Sequence, residues 1–269
     1  MTARVVPLRR PGLWLTSAVA GALLVLLAIS IWRNPNILHP VIAQYQFAPA
    51  IMAGLRTTIV LALLAAIIGL VLGIVLAVLR LSASPVLRLG SGFYTWLMRG
   101  TPLLVQILIW GNLALLFRHI GPFDTNAIMT PFVASVVALG LNEAAYMAEV
   151  VRAGILAVDR GQYEASLALG MPRLLSMRRI ILPQALRVII PPAGNQFISL
   201  LKATSLVSVI AGGDLLTAAQ NISSANLHTI ELMLVATFWY LVLTTITSIG
   251  QYFVERRLGR AGTGLHGAR

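Results

Sequence analysis

The chain has 269 residues, 58% of them hydrophobic and only 10% charged, against about 45–50% and about 25% in an ordinary soluble domain, which argues against a water-soluble fold. Its net charge of +12 would suit nucleic acid, but nineteen arginines and one lysine fall mainly in short stretches between apolar runs. There they flank membrane spans and do not pave a groove for phosphates. Cysteine is absent, which excludes disulfides and thiolate metal sites, and His39, His119, His228 and His266 have no ligand spacing.

A bilayer core requires about 20 apolar residues in helix, and six segments reach that length: Leu13–Trp32, Gly54–Val78, Phe93–Phe117, Pro131–Val158, Val188–Gly212 and Glu231–Val254. The expected fold is therefore all-α, a polytopic transmembrane bundle of six spans. Residues 1–50 carry the amino terminus, an additional first helix and an outer loop; 51–255 form a five-helix core; 256–269 are a basic tail. With the amino terminus inside, fifteen arginines lie on the inner side and only Arg33 and Arg118 on the outer. Both termini are thus expected to be cytoplasmic.

Residues 159–187, between spans four and five, read as a structured inner connection. Gln162–Leu169 suits two helical turns, Gly170 a reversal, and Pro172 the start of a second short helix running to about Leu182, ended by Pro183. The stretch after the fifth span, Asp214–Thr229, with Asn221, Ser223, Ser224, Asn226 and His228, reads as an outward-facing polar loop.

Polar residues inside the spans form stripes. Thr95, Arg99 and Gln106 share a face beside the Gly100-Thr101-Pro102 disruption; Asn142, Tyr146 and Glu149 repeat at i, i+4, i+7, with Glu143 one position round; Asn195, Ser199 and Lys202 repeat that spacing. A mid-bilayer charge costs about 2.5–3.5 kcal/mol, so these groups are expected to face protein or water. Arg99 and Lys202 are donors and Glu143 and Glu149 acceptors, which either meet a polar solute or pair with one another. Thr101 completes the candidate pathway, which comprises Arg99, Thr101, Gln106, Asn142, Glu143, Tyr146, Glu149, Asn195, Ser199 and Lys202.

The inner connection reads Glu164-Ala165-Ser166, Gly170, Ile180-Ile181-Leu182-Pro183. It resembles the cytoplasmic loop of the permeases of binding-protein-dependent ATP-binding-cassette importers, which carry Glu-Ala-Ala, Gly and Ile-x-Leu-Pro at the same spacing, with Ser166 in place of the third alanine. Arg99-Gly100-Thr101-Pro102-Leu103-Leu104-Val105-Gln106, Ala144-Ala145-Tyr146-Met147-Ala148-Glu149 and Leu182-Pro183-Gln184-Ala185 resemble the polar amino acid branch. The resemblance covers residues 54–254 and implies two short coupling helices that dock on an ATPase through Glu164, Ala165, Ser166, Gly170, Ile180, Leu182 and Pro183.

It also implies a pair of cytoplasmic ATPase subunits, a second identical or homologous permease, an extracytoplasmic solute-binding protein and a bacterial inner-membrane location. ATP and Mg²⁺ would be bound by the ATPase. This chain has no Gly-x-x-x-x-Gly-Lys phosphate loop, since Lys202 follows Leu201. It is expected to bind no metal or cofactor and to be no enzyme by itself. A proton- or sodium-coupled secondary transporter is the competing reading, on the strength of Glu143 and Glu149.

Overall fold

A computed structural model describes residues 11–260. Of the expected basic tail 256–269, the part beyond residue 260 lies outside the described residues, as do Arg4, Arg9 and Arg10. The elements run α1 Pro11–Trp32, α2 His39–Tyr45, α3 Pro49–Arg80, α4 Pro85–Gly100, α5 Leu103–Gly111 and α6 Leu113–Leu116. A two-stranded hairpin follows, β1 His119–Ile120 with β2 Phe123–Asp124, and then α7 Thr125–Ile128, α8 Pro131–Leu156, α9 Arg160–Ala168 and α10 Arg173–Ser176. A π turn Met177–Ile181 leads into α11 Leu182–Ala203, a 3₁₀ segment Thr204–Ile210, α12 Leu215–Asn226 and α13 Thr229–Arg260.

Among the described residues three helices are long and apolar enough to cross a membrane: Pro49–Arg80, Pro131–Leu156 and Thr229–Leu258. The run Arg173–Ile210 with Leu215–Asn226 is as apolar but bent by 43°, which is the geometry of a broken span or a re-entrant loop. The chain is a multi-pass helical membrane protein. Six unbroken spans are not what is found. The stretch expected as one helix over Phe93–Phe117 is split into α4, α5 and α6, because Pro102 has no N–H to continue the ladder and Thr101 is extended.

The packing is that of a protein dissolved in hydrocarbon. α3 turns Gly54, Thr58, Ala62, Ala65, Gly69, Gly73 and Ala77 inward, while Ile67, Val71, Ile74, Val75 and Val78 stand exposed. Between helices in lipid the attraction comes from close van der Waals contact, which small residues permit. A Cβ added at Gly69 would lie 2.5 Å from Glu143 Cγ, one at Gly73 2.7 Å from Met147 Cβ, and one at Gly140 2.8 Å from Ile68 Cγ2. These pairs advance together along both helices, so α3 and α8 are parallel. The chain between them must therefore recross the same thickness, and α4 and α5 carry it.

Three clusters fill the interior: Leu61, Ile107, Leu139, Leu200 and Val207 at the centre; Ala77, Met147, Val151, Ala185 and Ile189 towards the α9–α10 end; Ile51, Leu215, Leu232 and Val235 at the opposite end. α2 joins the last through Val41, Ile42 and Tyr45, and Leu38 N–H donates to Glu231 Oε1 at 3.0 Å.

Two expectations are corrected. Pro183 does not end a helix: it sits in the first turn of α11. The π turn sends Leu182 N–H back to Met177 O, so the ladder changes register where proline has no donor to give, and Gln184 Nε2 donates to Ile180 O at 2.9 Å. Asp214–Thr229 is not a loop either, since Leu215–Asn226 is helical. Asp214 caps it by accepting from Leu216 N–H at 2.9 Å and Thr217 N–H at 3.3 Å.

Candidate substrate pathway and coupling surface

The break at Thr101–Pro102 leaves carbonyls that no helix serves, and side chains serve them. Gln106 Nε2 lies 2.9 Å from Met98 O, 3.2 Å from Thr101 O and 2.8 Å from Thr101 Oγ1; having two N–H bonds, it donates to two of these at a time. Asn142 Nδ2, from α8, donates to Met98 O at 3.0 Å and to Gln106 Oε1 at 3.1 Å. Gln106 and Asn142 are buried. Three candidate pathway residues, Thr101, Gln106 and Asn142, are thus engaged with the backbone and with each other. Replacing Gln106 with leucine is expected to strip these acceptors and cost about 1–3 kcal/mol; a melting curve of the detergent-solubilised protein that matches the unsubstituted one would refute this.

Beside the break lies a cleft of about 480 Å³ between α8 and α11, lined by Arg99, Tyr146, Glu149, Val188, Pro192 and Gln196 among others. The Arg99 guanidinium carbon is 5.3 Å from the Tyr146 ring centroid, a cation–π distance. Glu149 pairs with Arg152 at 2.7 Å. Glu143 is elsewhere: its chain packs at Gly69, it is 5% exposed, and its carboxylate has no hydrogen bond or ion pair among the described residues. No salt bridge joins any two of Arg99, Glu143, Glu149 and Lys202 among the described residues. The α11 stripe does not complete the cleft. Asn195 Oδ1 accepts from Gln251 Nε2 at 3.1 Å, Ser199 donates to Asn195 O at 3.0 Å, and Ser199 and Lys202 are exposed. Gln196, one position round the helix, takes that place, and the sequence signal for it was only its spacing of four from Pro192.

At one end of the bundle Asp159 caps α9, accepting from Gly161 N–H at 2.7 Å. α9 closes on Gly170, whose φ of +75° is the left-handed conformation that glycine adopts without strain. Met171 N–H then returns to Ser166 O at 3.1 Å. Glu164, Ala165, Gly170, Leu182 and Pro183 are exposed, Ile180 is half-buried and Ser166 is buried. Leu169 and Leu174, on either side of the reversal, are each 81% exposed.

Residues 69–260 match the model of the family described as binding-protein-dependent transport system inner membrane component. The chain belongs to this family. It is similar to the arginine transport system permease protein ArgU of Corynebacterium glutamicum, 44% identical over 96% of this chain and 83% of that protein. It is also similar to the L-cystine transport system permease protein TcyB of Bacillus subtilis, 40% identical over 81% of this chain and 91% of the relative. Among solved structures, one titled as an amino acid ABC transporter with histidines superposes with a TM-score of 0.72 at 38% identity, covering 80% of this chain and 97% of that one.

At the end of this inner membrane component remote from α9, a second polar cluster escaped sequence reasoning. The fully buried Asp214 also accepts from the Thr217 hydroxyl and from Tyr240 Oη at 3.2 Å, and Thr58 Oγ1 receives Leu215 N–H at 3.0 Å. α12 is thereby tied to α13 and α3. The available signal was an acidic residue after Gly212-Gly213 and before an apolar pair.

Proposed function

We propose that this chain is the membrane-spanning permease subunit of an ATP-binding-cassette importer that admits polar amino acids by alternating access, both termini lying in the cytoplasm. A pair of cytoplasmic ATPase subunits would supply the energy, a second permease copy or homologue would complete the pathway, and an extracytoplasmic solute-binding protein would deliver the solute. The observation that carries the reading is the α9–α10 turn. Two nearly bare leucines flank a glycine reversal on the surface of a chain whose family works with partner proteins, and exposed apolar groups of this kind mark a docking site. Similarity to arginine and cystine permeases supports amino acids as the solute class. The cleft with Arg99 and Glu149 on its walls offers a cation to the α-carboxylate and an anion to the α-ammonium, while Tyr146 and Gln196 supply a ring face and an amide.

The test is uptake of a panel of labelled amino acids by vesicles holding the complex with ATP on the ATPase side. Saturable uptake that requires the ATPase is expected, whereas uptake driven by a proton or sodium gradient without it would overturn the reading. Within that assay Arg99→Gln should weaken uptake at limiting solute by about tenfold, equivalent to about 1.4 kcal/mol, while the ATPase still co-purifies. Unchanged uptake would remove Arg99 from the pathway.

A further inference from the structure

Two hydroxyls close the turn between α9 and α10. Ser166 and Ser176 are buried, 1% and 0% exposed, and their Oγ atoms are in direct hydrogen-bond contact. Ser166 Oγ also donates to Tyr163 O at 2.6 Å. A hydroxyl has one proton, so with that proton on the Tyr163 carbonyl, Ser176 is the donor of the pair. Ser166 stands where the family pattern has an alanine, and the position opposite it here is another hydroxyl, not an apolar group.

The place of this contact in the chain gives it its consequence. α9 follows α8 after a short break over 157–159 that Asp159 closes as the cap of α9, while α10 runs through the π turn into α11 as far as Ile210. Among the described residues the Ser166–Ser176 contact is the only side-chain hydrogen bond between these two halves of the connection. Gly170 between them has nothing within 4 Å of where a Cβ would stand, so packing around that glycine does not hold the turn.

We infer that Ser166 and Ser176 are positioning residues: their hydroxyl pair makes α9 and α10 one rigid body, so that a displacement imposed at Leu169 and Leu174 reaches α8 and α11 together. Without the pair, the Met171 N–H bond to Ser166 O and the packing of α9 on the π turn are what remain to hold the turn, and more of the displacement is absorbed at Gly170. The inference rests on the docking role given to this turn under the proposed function.

The first experiment needs no transport. In the isolated subunit, Ser176→Ala should raise amide hydrogen exchange at Gly170 and Met171 by about five- to tenfold, as loss of one hydrogen bond worth about 1 kcal/mol predicts; unchanged exchange overturns the clamp whatever drives uptake. The second uses the complex. Ser176→Ala should lower solute moved per ATP hydrolysed at least threefold, with ATPase binding unaltered. The natural chain has no cysteine, so Ser166→Cys with Ser176→Cys places just two thiols at the contact. Oxidised to a disulfide with diamide, this variant should keep the unsubstituted ratio. A disulfide that stops uptake would show that the two helices must slide past one another and would refute the clamp.

Discussion

Gly73→Leu is expected to lower the melting temperature of the detergent-solubilised protein by roughly 5–10 °C and to cut the yield of monodisperse protein. The reason is the approach of α3 to α8. A Cβ at Gly73 would meet Met147 Cβ at 2.7 Å and Ala144 O at 3.1 Å, and a backbone oxygen cannot turn aside as a side chain can. Overpacking of this kind costs about 1–3 kcal/mol, and in a chain of this size 1 kcal/mol corresponds to about 2–4 °C. Gly90 is the control, because a Cβ there has nothing within 4 Å. Gly90→Ala should melt at or slightly above the unsubstituted protein, since alanine is the better helix former by about 1 kcal/mol. Equal melting of Gly73→Leu and Gly90→Ala would mean that the two helices are not in the described contact.

Gly170→Val is expected to act mainly on function, leaving insertion intact and lowering the melting temperature by only about 2–8 °C while cutting uptake per ATP by severalfold. Its φ of +75° costs an L-residue about 1–2 kcal/mol, and a β-branched side chain cannot relieve that locally. The turn would rearrange, and with it the relative directions of Leu169 and Leu174. Asparagine tolerates the left-handed region, so Gly170→Asn should retain most of the activity. The comparison separates conformation from bulk, because the space around Gly170 is open. Normal uptake per ATP in Gly170→Val would remove the turn from energy transmission.

Legibility in the sequence followed the length of the apolar runs. The limits of α3, α8 and α13 fall within a few residues of those expected, because segments of more than twenty mainly apolar positions leave little choice of element. The shorter elements were misread where a local rule has two outcomes. Pro183 reads as a stop after a short helix, although proline is equally at home in a first turn. Asp214–Thr229 reads as a loop from its Asn, Ser and His content, although Asp214 supplies a helix cap. In the site, periodicity grouped Arg99 with Gln106 on one helix and Tyr146 with Glu149 on another. It could not reveal that Gln106 and Asn142 bond to one another, because that depends on the relative height of two helices 36 residues apart in sequence.

The run from Arg173 to Ile210 is about 55 Å long at about 1.5 Å per residue, enough to reach from one face of a bilayer to the other. Near its middle stand Pro191 and Pro192, where the backbone ladder is weakest, and there it is gripped on both sides. Gly154 meets Ile189, Gly194 meets Gln251, and Gln251 Nε2 bonds Pro191 O at 3.1 Å. One tip of this rod lies in the α9–α10 turn and the other is packed against α3, α5 and α12, so the midpoint is the place about which both can rock. A tilt of a few degrees about these prolines would swing both tips by about 2 Å in opposite directions, the kind of motion that the proposed alternating access requires.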